Sequence, residues 1–157
     1  MGQQQLLLVI LVTIIVGIAT VVAINTFGTA ADQANIDAVN NDIATLASAA
    51  QGFYMRPAML GGGSRSFDGL SFEGLAFPAT VFDGTLVAQN ENGRYTLEDV
   101  GGQEFTIVAA PASSEGYTPG DPDNDGNLTI SEGGTPEITA RVGANTFELG
   151  ATAAAAN

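Results

Sequence analysis

Twelve consecutive residues, DPDNDGNLTISE from Asp121 to Glu132, hold the densest chemistry in this sequence. They follow the pattern D-x-[DN]-x-[DN]-G-x5-E at every position. Alternate carboxylates at Asp121, Asp123 and Asp125 can converge on a hard cation that takes six to eight oxygen ligands. Gly126 permits the sharp turn, the Asn127 carbonyl supplies a ligand, Thr129 acts through a water, and Glu132 closes the site with both oxygens. The ion that suits such a set is Ca2+. The alternative is an acidic Asp/Gly turn that holds no metal. Asn127-Leu128-Thr129 also fits a glycosylation sequon that overlaps the loop.

The flanks of this loop are not helical. Tyr117-Thr118-Pro119-Gly120 precedes it and Gly133-Gly134-Thr135-Pro136 follows, so the loop is expected to connect strands rather than the two helices of an EF-hand. Without a tight helix after it, Glu132 is the ligand least constrained by its surroundings.

Composition narrows the remaining chemistry. The chain of 157 residues contains no His and no Cys, which removes zinc sites, haem ligation, thiolate nucleophiles, disulfides and imidazole acid–base catalysis. No nucleophile–base pair can be named, and the sequence does not read as an enzyme. Acidic residues number 17 against 4 arginines and no lysine, for a net charge of −13. Nucleic acid and anionic headgroups are bound by neutralising phosphates with Lys and Arg, so no nucleic-acid partner is expected.

Three kinds of element must carry the loop. From Leu6 to Ile24 nothing is more polar than two threonines. About 20 such residues at 1.5 Å each span a bilayer core of roughly 30 Å. A secretory signal peptide fits poorly, because no Lys or Arg precedes Arg56 and the apolar run exceeds an ordinary h-region. The helix is expected to continue through ADQANIDAVNNDIATLASAAQGFYM, where Ile36, Val39, Ile43, Leu46, Ala50 and Phe53 recur at three- and four-residue spacing. Gly28 is a candidate loosening point and Asp32 a candidate restart cap. Arg56-Pro57 and Gly61–Gly63 end the helix, and the glycine run reads as a linker. Taken as continuous, residues 3–54 make a rod of roughly 75–80 Å.

Beyond the glycines the period changes. Thr85–Gln89, Arg94–Val100, Gln103–Ala110, Glu137–Val142 and Thr146–Leu149 are short β-rich segments. Turn signals separate them at Asn92-Gly93, Gly101-Gly102 and Gly143-Ala144-Asn145. The pattern predicts an α+β fold, a long N-terminal α-helix packed against a small antiparallel β-sheet of four or five strands. One sheet face is expected to bury Val87, Tyr95, Leu97, Phe105, Ile107, Ile138, Val142 and Phe147 on the stripe of the helix. Residues 1–30 form the apolar helix and 31–157 the globular part; no internal repeat is evident.

This plan resembles the type IV pilin family, on the strength of GQQQLLLVILVTIIVGIATVVAIN and DQANIDAVNNDIATLASAAQGFY within residues 1–54. The resemblance implies a subunit that waits in the inner membrane, is trimmed by a prepilin peptidase, often methylated at its new N-terminus, and assembled by dedicated machinery. It further implies an extracellular filament, a helical homopolymer with the apolar helices as its core. Two departures stand out. The family's glutamate at the fifth mature position is Gln5 if Met1 is the mature start, whereas cleavage after Gly2 would leave Gln3 first. The family's disulfide-bonded loop is missing, and the calcium loop would take its place as the staple. Gly17 reads as a close-packing point between helices, the alternative being a glycine merely tolerated there. Two alternatives accompany the filament reading: a type II secretion pseudopilin, and a single-span anchored calcium-binding domain that forms no polymer.

Overall fold

The computed structural model describes residues 2–82, 86–113 and 138–150. These residues divide into two compact units, 2–34 and the part that begins at Asn35. The fold is α+β, with one long N-terminal helix and an antiparallel sheet.

Helix α1 occupies Gly2–Met55. Gly28 does not interrupt it and Asp32 lies inside it, so neither the loosening nor the restart is needed. In the second unit its apolar stripe is buried at Val39, Ile43, Leu46, Ala47, Ala50, Phe53 and Tyr54, while Ile36 is only half-buried. The three- and four-residue spacing that marked an amphipathic helix is therefore the face that enters the core.

The sheet has six strands in sequence order: β1 Thr80–Phe82, β2 Val87–Gln89, β3 Gly93–Gly101, β4 Glu104–Pro111, β5 Ile138–Gly143 and β6 Phe147–Leu149. Every neighbouring pair is antiparallel. β1 is the addition to the five expected segments. It lies beyond the Gly-rich stretch and has only three residues, too few to show a period.

Register decides which face each side chain takes. Ala88 pairs with Tyr95, Tyr95 with Ala109, Leu97 with Ile107, Phe105 with Val142 and Ile107 with Ala140. This set joins the α1 stripe in one core. Val87 is buried too, but it pairs with Thr96 and so lies on the opposite face. Phe147 pairs with Val142 on the core side, yet its place in the edge strand leaves it 42% exposed.

A third layer of the core comes from the segment between helix and sheet. Phe67, Leu70, Phe72 and Leu75 are buried, and Phe67 stacks at 4.9 Å between Tyr54 and Phe105. The segment is a repeat after all: FDGLSFEGLAF, residues 67–77, recurs every five residues. Each repeat closes a turn, Leu70 N donating to Phe67 O at 3.0 Å and Leu75 N to Phe72 O at 3.3 Å. The Gly of the first turn, Gly69, takes φ +77, a conformation that costs glycine little. Phe and Leu at the two ends of each turn then point into the core.

Gly61–Gly63 is not a slack linker. After Arg56 the chain folds back on the helix, and Gly63 N, Arg65 N and Ser64 N donate to the carbonyls of Phe53, Tyr54 and Arg56 at 2.9, 2.9 and 3.0 Å. These bonds satisfy carbonyls that a helix end leaves without partners. A Cβ on Gly63 would overlap the Ser66 carbonyl oxygen, so the close approach requires glycine.

Candidate functional site

Two features of the described residues bear on function: the apolar first unit and a polar clamp that braces the second. In the first unit the large apolar side chains from Leu6 to Phe27 are 49–76% exposed. They surround the helix on all sides, so no single buried stripe exists. This is one helix long and apolar enough to cross a membrane. Its few hydroxyls are turned back on the helix. Thr13, Thr20, Thr26 and Thr29 each donate to the carbonyl four residues earlier, at 2.6–2.8 Å. These bonds shield the hydroxyls from an apolar surrounding, where an unpaired polar group costs several kcal/mol, on the order of 2–7. Gly17 has open space where a Cβ would stand, which leaves a shallow notch in this surface.

Water solvates such a surface poorly, and exposed patches of this extent mark contact with lipid or with other protein. A helix satisfies its own backbone groups, so both surroundings suit it equally. Gln3, Gln4 and Gln5 are helical and exposed at its start.

The clamp centres on Asp42, on a turn of α1 beside the core stripe. Its Oδ2 accepts hydrogen bonds from Asn90 Nδ2 at 2.8 Å, Asn92 Nδ2 at 2.8 Å and Tyr95 Oη at 2.6 Å. Asn90 Oδ1 in turn accepts from the backbone N–H of Asn92 and Gly93, which shapes the β2–β3 turn. Two turns earlier on the helix, Asn35 Nδ2 donates to Asn92 O at 2.9 Å, and Asn35 Oδ1 accepts from Ser113 N at 3.0 Å. Two helix side chains thereby hold both the hairpin tip and the exit of β4. Partial burial raises the Asp42 carboxyl pKa, but the three hydrogen bonds to its charged form outweigh that and hold it below the usual value.

A second set of polar contacts joins the capping turn to the β3–β4 hairpin. Tyr54 Oη donates to Gln103 Oε1 at 2.6 Å, Gln103 Nε2 donates to Arg65 O at 3.1 Å, and Phe67 N donates to Gly102 O at 2.9 Å. Asp68 accepts from Ser66 Oγ and from Gly102 N, which lowers its pKa.

The predicted calcium ligands Asp121, Asp123, Asp125, Asn127, Thr129 and Glu132 lie outside the described residues. They belong to the connection from β4 to β5, whose ends are fixed by the pairing of Ala109 with Ile138. Among the described residues no group of three or more His, Cys, Asp or Glu side chains is arranged to hold a metal. Neither polar set was visible in the sequence, since the bonds that join separate elements link residues 34–78 positions apart.

Comparison with protein-family models, with curated proteins and with solved structures finds no match to this chain.

Proposed function

We propose that this chain is the structural subunit of an extracellular, type IV pilus-like filament. In this reading it is held in the inner membrane by its apolar helix before assembly. A prepilin peptidase and pilus assembly machinery are its partners on that route. The observation that supports the reading is the first unit: a helix apolar on every side from Leu6 to Phe27, with its threonine hydroxyls internally bonded. Lipid covers that surface before assembly, and identical helices cover it afterwards. Because every copy carries the same surface, a head-to-tail contact that does not close generates a helical fibre. In this reading Ca2+ at Asp121, Asp123, Asp125, Asn127, Thr129 and Glu132 braces the β4–β5 connection, taking the place of the disulfide that a chain without Cys does not form.

A photo-crosslinking side chain at Ile15 in the full chain tests whether copies meet through this helix. The reading expects a ladder of bands rising by one 15.9 kDa subunit at a time. Crosslinks to lipid alone would leave a single-span anchored domain.

A further inference from the structure

We propose that the end of α1 and the turn that caps it form a contact for an acidic surface on a second copy of this chain. The proposal rests on the homopolymer reading and says where copies touch outside the apolar helix.

At this end of the second unit Met55, Met59 and Leu60 are 75%, 97% and 71% exposed. Six residues of chain therefore carry an apolar knob on a unit whose other large apolar side chains, among the described residues, are mostly buried. Two arginines flank it. Arg56 and Arg65 are exposed, and no ion pair engages either among the described residues. Of the other two arginines Arg94 is buried, so this knob carries two of the three exposed cations of a chain with 17 acids.

The backbone holds Arg65 there against its own preference. Ser64 and Arg65 take φ of +49 and +72, which L side chains rarely adopt. Arg65 N to Tyr54 O and Gln103 Nε2 to Arg65 O pin the residue in that conformation. A glycine would sit without strain, yet the position carries a guanidinium. Beside it opens a cleft of about 530 Å3 lined by Tyr54, Met55, Arg65, Gln103, Ala144 and Asn145. Its donors, from Arg65 and Asn145, suit a carboxylate.

Charge selects the occupant. Copies at −13 each repel one another when packed side by side, unless the few positive groups face acids at the contact. An apolar knob ringed by arginines and placed against an acidic patch of the next copy removes apolar surface from water and offsets that repulsion.

The test places a photo-crosslinking side chain at position 59 of the full chain in cells, beside the same probe at Ile15. The expected result is a self-crosslink at 59 whose partner peptide is rich in Asp and Glu. Arg56→Glu with Arg65→Glu should lower its yield on the order of tenfold, as should high salt, whereas the two Arg→Lys changes should keep it. Unchanged helix content by circular dichroism separates this loss from misfolding. A crosslink at 59 only to lipid or to a different protein, or a self-crosslink indifferent to charge reversal, overturns the proposal. A ladder from Ile15 with nothing from 59 overturns it and leaves the filament reading standing. A charge-sensitive band from 59 with only lipid from Ile15 does the reverse.

Discussion

Tyr95 Oη, from the third residue of β3, donates a 2.6 Å hydrogen bond to Asp42 Oδ2 on α1. Tyr95 is fully buried, and its ring also meets Phe77 edge-on at 5.2 Å. One side chain thus joins the helix, the turn repeat and the sheet. Asp42→Ala strips the acceptor from three donors at once and should cost on the order of 2–3 kcal/mol, whereas Tyr95→Phe should cost about 1–1.5 kcal/mol. Chemical unfolding followed by circular dichroism measures both. The double variant should fall short of the sum, because the two changes remove the same bond.

Acid should loosen the same clamp. The Asp42 carboxyl pKa is lowered on folding, so the unfolded chain binds its proton more readily. Its stabilisation is complete above the unfolded value near 3.8 and is lost as pH falls through the lower folded value. Asp68 shifts in the same direction. Thermal unfolding at a series of pH values from neutral to strongly acidic should show the melting temperature falling below about pH 4. Asp42→Asn should be less stable at neutral pH and should fall less steeply in acid.

Gly63 in the capping turn and Gly52 in the helix it caps should respond differently to the same substitution. Gly63→Ala would drive a Cβ into the Ser66 carbonyl and against Phe53, and the expected loss is on the order of 2 kcal/mol or more. Gly52→Ala, in α1 with open space beside it, should be neutral or gain about 0.5–1 kcal/mol. Equal effects at the two positions, read from unfolding midpoints, would contradict the role assigned to the turn.

Calcium should stabilise the protein by mass action. At a free concentration 100-fold above the dissociation constant the gain is about 2.7 kcal/mol. The melting temperature should climb with added calcium and drop with a chelator. Asp123→Ala with Asp125→Ala should abolish the dependence while leaving the α1 helix signal intact. A melting curve that ignores both calcium and chelator excludes a structural ion in the β4–β5 connection.

Much of the architecture could be read from periodicity. The stripe from Val39 to Phe53 has helical spacing, and five of the six strands overlap the β-rich segments that Gly and Asn turn signals separate. The misses have physical reasons. FDGLSFEGLAF repeats every five residues, which matches neither helix nor strand, so its four buried side chains went unplaced. Val87 is apolar whichever face it takes, and only its pairing with Thr96 shows that it lies opposite the helix. Phe147 has a core-facing register in an edge strand too short to be covered. Asp42 gave no signal, because its three donors lie 48–53 residues away and meet it only in the fold.

Electron microscopy of material sheared from the surface of cells producing the chain, with peptide mass spectrometry of that material, tests the central claim most directly. The expected result is thin fibres whose main component is this chain, with peptides from residues 35–157 recovered from them. A surface free of fibres, with the chain retained as single copies in the membrane fraction, would contradict it.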